Sequence, residues 1–218
     1  MRANPCQASI SLENISNALL LSLRFSEKVK INGLICDFVK LKSPEYVIVS
    51  GQSGSGKSTL LASIFEAARS YRIDPTISMV DETAYLGQLA SPPPLSLLDF
   101  VSLSTPPCAL SKYDILSKAF ASLKISPAPY LDKASILDKG CASLSGGEFM
   151  KLRIALAVSS APSPRLLMFD ESLGMLHESS RISMRDRLKE YAAKNDALIL
   201  EISHAEIEHS GCSSLCLL

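Results

Sequence analysis

The sequence predicts an α/β fold: a parallel sheet at its centre, an antiparallel β-subdomain ahead of it and an α-helical lobe inserted within it. Three observations point there. The β-prone run Tyr46-Val47-Ile48-Val49-Ser50 leads through a glycine-rich turn into a helix. Strand and helix patterns alternate through the second half of the chain, which is the order a parallel sheet requires. Prolines fence off a helical stretch between these two parts.

In chain order, Ile10 to Ile15 and Ile35 to Leu41 alternate apolar and polar residues, as antiparallel strands do. After the turn, Leu60, Leu61, Ile64 and Phe65 mark one face of a helix from Lys57 to Ser70. Short β-prone runs come next at Ile77 to Val80 and Ala84 to Leu86, the latter ending at Gly87-Gln88. Pro92-Pro93-Pro94 and Pro106-Pro107 bracket Leu95 to Ser104, and Pro127 and Pro129 close off a helix from Lys112 to Leu123 on its carboxyl side. The α/β pattern then resumes. A helix opens at Gly146 and runs to about Ser159, an apolar strand covers Leu166 to Phe169, a polar helix covers Glu178 to Lys194, and Ala197 to Ile202 forms another buried strand. The chain reads as one domain over 1–218, with the β-subdomain and loop core in 1–88, the helical lobe in 89–143 and the rest of the core in 144–218.

With 47% hydrophobic residues over 218 positions, the chain has ample apolar area for a core, and disorder is not expected. Its 22 basic and 22 acidic residues cancel, so no overall field favours nucleic acid, and a nucleic-acid partner is not expected. No apolar run approaches the roughly 20 residues that cross a bilayer, and Met1 to Leu12 lacks the charged-then-apolar pattern of a secretory signal. The expectation is a cytoplasmic chain that serves any membrane from the side. Cysteines at 6, 36, 108, 141, 212 and 216 form no CxxC pair and read as reduced small hydrophobes. Cys212 and Cys216 stand as an isolated pair, and Cys216 lies one place short of a prenylation box.

The turn itself carries chemistry. In Gly51-Gln52-Ser53-Gly54-Ser55-Gly56-Lys57-Ser58-Thr59, glycines let the backbone bring bare N–H groups close to phosphate oxygens, where a side chain would obstruct them. Lys57 adds a point charge, Ser58 offers a hydroxyl to Mg2+, and the helix that starts near Lys57 directs its positive end at the anion. A ligand-free glycine-rich turn is the plainer reading, and the strand-loop-helix setting disfavours it. Downstream, Leu144-Ser145-Gly146-Gly147-Glu148 opens a helix, so N–H groups there and the Ser145 hydroxyl make a second anion site or a plain N-cap.

Taken together, these motifs resemble the ATP-binding cassette (ABC) ATPases over about residues 10 to 210. Gly51 to Thr59 is similar to the Walker A loop, Gln88 to the Q-loop glutamine, Leu144 to Glu148 to the signature, Leu166 to Glu171 to Walker B, and His204 to the switch histidine. The resemblance implies a P-loop NTPase core of the RecA-like kind, ATP and Mg2+ as cofactors, and ATP hydrolysis. It also implies that the signature faces away from its own P-loop. A second ABC subunit, identical or not, would then complete the site from Ser145, Gly146, Gly147 and Glu148, and ATP would join the two.

Physical reasons accompany the remaining assignments. Leu166-Leu167-Met168-Phe169 delivers Asp170 and Glu171 at the carboxyl end of a strand, where open α/β sheets bind ligands. Asp170 can hold Mg2+, and Glu171 can accept a proton from the attacking water; two carboxylates after a strand can also simply cap the next helix. His204, after the strand from Leu198 to Ile202, is expected near the γ-phosphate. Gln88 is expected to contact Mg2+ and water and to couple to the helical lobe. Phe25 is the candidate for stacking on adenine, with an ordinary core position as the alternative.

Several positions depart from the family pattern. Ser172 replaces a proline, His177 replaces an aspartate, and Phe149-Met150-Lys151 comes after the signature where polar residues and an arginine are usual. The Leu176-His177 pair resembles excision-repair damage-recognition ATPases, which supports a soluble cassette acting on protein or nucleic acid as the rival reading. A weakly active regulatory module is a third class, opposed by Glu171 and His204. The short segment from Gln88 to Ser145 suits transporter subunits instead. The expectation is an energy-coupling subunit, peripheral at the inner face of a membrane. Its separate transmembrane permease would dock near Leu95 to Leu103, a stretch that could equally be lobe core, and no regulatory domain is expected after His204.

Overall fold

A computed structural model describes residues 8–15, 18–70, 83–87, 92–104, 110–126, 140–159, 163–203 and 212–218. Among the described residues, eight strands form one sheet in the order β1-β2-β8-β4-β7-β6-β5, with β3 on β2. They are β1 (Ala8–Ile15), β2 (Ala18–Ile31), β3 (Leu34–Lys42), β4 (Glu45–Gly51), β5 (Thr83–Leu86), β6 (Leu166–Asp170), β7 (Leu198–Ile202) and β8 (Ser213–Leu217). The helices among the described residues are α1 (Lys57–Ser70), α2 (Leu97–Ser104), α3 (Lys112–Ser122), α4 (Gly146–Ser159) and α5 (Glu178–Asn195).

The antiparallel part is continuous with the parallel part. β2 pairs with β1, β3 and β8 antiparallel, whereas β8, β4, β7, β6 and β5 run parallel to one another. β2 is the longest strand and β8 the last, and the sequence pattern alone singles out neither. In β2 the period is plain once its partners are known: Leu19, Leu21, Leu23 and Phe25 all point inward and are buried. Asn32 and Gly33, both at positive φ, make the tight turn from β2 to β3. Asn32 is also tied to β8 through Asn32 N to Ser214 O and Ser214 N to Asn32 Oδ1, each 2.8 Å.

The central strands are buried on both faces, which is why they read as unbroken apolar runs. Leu167 and Phe169 of β6 and Ile199 of β7 join Tyr46 and Ile48 in a cluster with α2, α3, α4 and α5. Leu166, Met168, Leu200 and Ile202 join Val47 and Val49 in a second cluster with α1 and the antiparallel strands. In the helical lobe, Ser111 caps α3 by accepting from Asp114 N, and Phe100 of α2 packs on Phe149 of α4 with ring centroids 5.0 Å apart. Most of the apolar stretch from Leu95 to Leu103 is spent on this packing: Leu97 and Val101 are buried, whereas Leu103 is 76% exposed. The strand expected at Ile77 to Val80 lies outside the described residues.

Candidate active site

The loop after β4 is built around three glycines at positive φ, Gly51 at 140°, Gly54 at 84° and Gly56 at 92°. Gly51 is the least replaceable, because a Cβ there would sit 2.5 Å from Leu217 O and 2.8 Å from Ser55 Oγ. Lys57, only 5% exposed, starts α1 and folds its ammonium back so that Nζ donates to Gly51 O at 2.9 Å and Gln52 O at 2.8 Å. One of its three N–H groups is left for an incoming anion. Ser55 Oγ is buried and has no hydrogen-bond partner among the described residues. A backbone cradle, a fixed cation and an unmatched buried hydroxyl at one helix start suit a polyphosphate.

The second cluster lies at the carboxyl end of β6. Asp170, 7% exposed, accepts from Ser58 Oγ on Oδ1 and from Tyr85 OH on Oδ2, both at 2.9 Å. An all-oxygen set of one hydroxyl and one carboxylate beside a phosphate loop fits Mg2+, which takes hard ligands and shares them with phosphates. Burial first, and then the bond and charge of Asp170, push the Tyr85 phenol up to about 12, so it stays a donor at neutral pH. Glu171, the next residue, adopts left-handed backbone at φ 53°, and its carbonyl accepts from Gly174 N at 3.0 Å as a 3-10 turn forms over Ser172–Met175. A non-glycine residue in this region is uncommon and concentrates where geometry is held for function.

The signature segment opens α4 with a reciprocal cap. Ser145 N and Oγ both donate to Glu148 Oε2, at 2.8 and 2.7 Å, and Glu148 N donates to Ser145 Oγ at 3.2 Å. Ser145 is exposed. The turn after Glu171 lies against both glycines: a Cβ on Gly146 would be a tight 3.1 Å from the end of the Met175 side chain, whereas one on Gly147 would make ordinary contact at 3.7 Å from Met175 O. The signature start and the segment after Walker B are therefore one packed unit.

Of the remaining expected site residues, Gln88 and His204 lie outside the described residues. Ser53 and Thr59 fall in the described loop and helix start. Phe25 is a correction. It is 4% exposed within the cluster of Leu12, Leu21 and Val39, because the inward period of β2 runs through it, and its ring has no free face for a base. An irregular stretch begins at Phe25, with residues 25–28 facing Asp37 between the pairs Arg24↔Phe38 and Val29↔Cys36.

Two groups at this edge are not announced by the sequence. Tyr85 is opposite Met168 in the β5–β6 register, which puts it on the same face as Asp170; strand period alone predicts this once the two strands are known to be neighbours. Arg153 of α4 donates from both terminal nitrogens to Gly87 O, at 3.2 and 3.1 Å, pinning the residue before Gln88. Burial lowers the pKa of this guanidinium. No local pattern signals that pairing across 66 positions. Among the described residues no group of His, Cys, Asp and Glu is arranged to hold a metal alone, and no helix is long and apolar enough to cross a membrane.

A glycine loop between strand and helix, a buried lysine and a paired serine–aspartate define a P-loop nucleotide-binding protein. The ABC transporter family model matches residues 38–174, and the chain belongs to this family of ABC ATPases, whose members hydrolyse ATP. It is similar to the aliphatic sulfonates import ATP-binding protein SsuB 2 of Rhizobium johnstonii, 29% identical over 187 residues that cover 84% of this chain and 68% of that one. It is also similar to the energy-coupling factor transporter ATP-binding protein EcfA of Malacoplasma penetrans, 27% identical over 73% of this chain and 58% of that one. The chain thus spans between 58% and 68% of the length of these two relatives. A solved structure described as an ABC transporter ATP-binding protein from Pyrococcus furiosus matches over 91% of this chain and 97% of its own, with a TM-score of 0.63 and 16% identity, a likeness of fold.

Proposed function

We propose that this chain is the ATP-binding and hydrolysing subunit of a membrane transporter, closing on a second ABC subunit around MgATP and driving a separate membrane-spanning partner. The observation that carries this is the junction of cradle and carboxylates, in which Lys57 is buried on Gly51 O and Gln52 O while Ser58 is hydrogen-bonded to Asp170. The names of the similar ATP-binding proteins support the transport role.

In this reading the N–H groups of Gly54 to Ser58 and the Lys57 ammonium hold the β- and γ-phosphates. Ser58 and Asp170 would hold Mg2+, which when bound offsets charge on the phosphate oxygens. Glu171 accepts the proton of the attacking water, and the roles left to Gln88 and His204 are to orient water and to steady charge as it develops. Ser145, Gly146 and Gly147 receive the γ-phosphate of the other subunit's nucleotide. Glu148 must then release the Ser145 hydroxyl, since carboxylate and phosphate cannot share it without repulsion. Both subunits contribute to each site, so ATP stabilises the closed dimer and hydrolysis weakens it.

Glu171→Gln tests the proposal. Turnover should fall by about 100-fold or more, the usual contribution of a positioned base, while light scattering with ATP should reveal a trapped dimer. Unchanged hydrolysis overturns the role of Glu171, and a persistent monomer overturns the shared site.

A further inference from the structure

We propose that Tyr85 is a positioning residue for the divalent metal of the nucleotide site, acting through Asp170. This rests on the MgATP reading above. The carboxylate has two oxygens, and each has one protein hydroxyl: Ser58 Oγ on Oδ1 and Tyr85 OH on Oδ2, both at 2.9 Å. With both oxygens held, the group is fixed in rotation. A metal ligand oriented in advance binds its ion more tightly than one free to turn.

The two hydroxyls differ in what they can do. Ser58 stands at the start of α1, directly after the phosphate loop, and it can turn a lone pair to the metal while keeping its proton on Asp170. Tyr85 reaches Asp170 from the neighbouring strand and works from behind. Its ring is braced by Phe65 of α1, with centroids 5.5 Å apart, and lies beside Gly87, where a Cβ would come within 3.2 Å of Tyr85 Cε1. Gly87 is in turn the residue whose carbonyl Arg153 grips. The phenol therefore stands between the Asp170 carboxylate and the backbone at Gly87, and it holds the rotation of the carboxylate that would bind the metal.

The test is Tyr85→Phe in the full chain, which removes one oxygen and keeps the ring against Phe65. Mn2+ in place of Mg2+ is titrated by electron paramagnetic resonance with a saturating non-hydrolysable ATP analogue, and the analogue's own affinity is measured in a chelator without metal. We expect Mn2+ affinity to fall about 10-fold, the lower end for loss of a group that orients a ligand, with metal-free nucleotide affinity retained. Unaltered Mn2+ affinity overturns the inference. So does an equal loss of metal-free binding, because that would place Tyr85 in the packing of the loop. A wild-type chain that binds the analogue neither with nor without metal overturns the nucleotide reading and this inference with it, whereas normal wild-type binding beside an unchanged variant overturns only the inference.

Discussion

Arg185 Nε donates to Glu201 Oε2 at 2.8 Å at a point where both side chains are 2% exposed, joining α5 to β7 through a buried ion pair. Glu201 Oε2 also accepts from Tyr46 OH of β4 at 2.6 Å, and Arg185 NH2 reaches Ser203 Oγ at 3.3 Å. Burial, and then the Glu201 charge, drive the Tyr46 phenol well above its ordinary range. The pair lies on the sheet face opposite the second apolar cluster, so it braces β7 against α5.

Breaking such a pair strands a charge. Arg185→Met should destabilise the fold by about 3–5 kcal/mol, whereas the double change Arg185→Met with Glu201→Leu should recover most of the loss. Urea unfolding checks this: the midpoint should drop sharply for the single variant and return for the double one. Equal midpoints for the two variants would contradict the account.

The cap at the signature makes a second prediction. Ser145→Ala removes the acceptor for Glu148 N and a donor to the Glu148 carboxylate, and should cost about 1 kcal/mol of stability. Its larger effect should be on the ATP-dependent dimer, measured by light scattering, because the same hydroxyl serves both. A variant that lost stability but closed normally on ATP would restrict Ser145 to capping.

His177 sits at the N-cap of α5 with no side-chain hydrogen bond to the helix. An aspartate accepts from the first-turn N–H groups and favours the positive end of the helix, so His177→Asp should stabilise the chain by about 1 kcal/mol. ATP turnover should be preserved or raised. A collapse of turnover with a stabilised fold would assign the histidine a role of its own.

The Tyr85 phenol supplies a pH prediction. Its pKa is pushed up to about 12, so the neutral form is favoured in the folded state, and that contribution is fully present below the unfolded tyrosine's pKa of about 10. It is lost as pH rises from there through 12. Absorbance titration of phenolate in wild type and Tyr85→Phe should differ by one group ionising late, and a difference at the ordinary tyrosine pKa would refute the contact with Asp170.

Much of the nucleotide site is legible in the sequence because its parts are contiguous. Gly51 to Thr59 is read from neighbouring residues, and Asp170-Glu171 from the apolar strand before them. Helices from Lys57, Lys112, Gly146 and Glu178 are legible for the same reason, each carrying its own periodicity or proline boundary. The features that escape depend on pairings between distant segments. β2 looks like a sequence of leucines until β1, β3 and β8 assign its faces, and β8 is short enough to pass for a tail. Phe25 misleads because an aromatic next to a polar run looks exposed, yet the strand's inward period includes it. The Arg185–Glu201 pair and the Tyr85–Asp170 bond exist only once the sheet order β4-β7-β6-β5 is known.

The contact beneath Gly51 bears on how this protein can be handled. Because β8 runs alongside β4 with Leu217 opposite Gly51, strand β8 is the floor on which the phosphate loop rests. Any substitution or insertion that lifts the β8 residues from β4 would be transmitted straight to the nucleotide. Labels meant to leave ATP undisturbed belong instead near Leu103, where the surface is open and the loop is not in register with it.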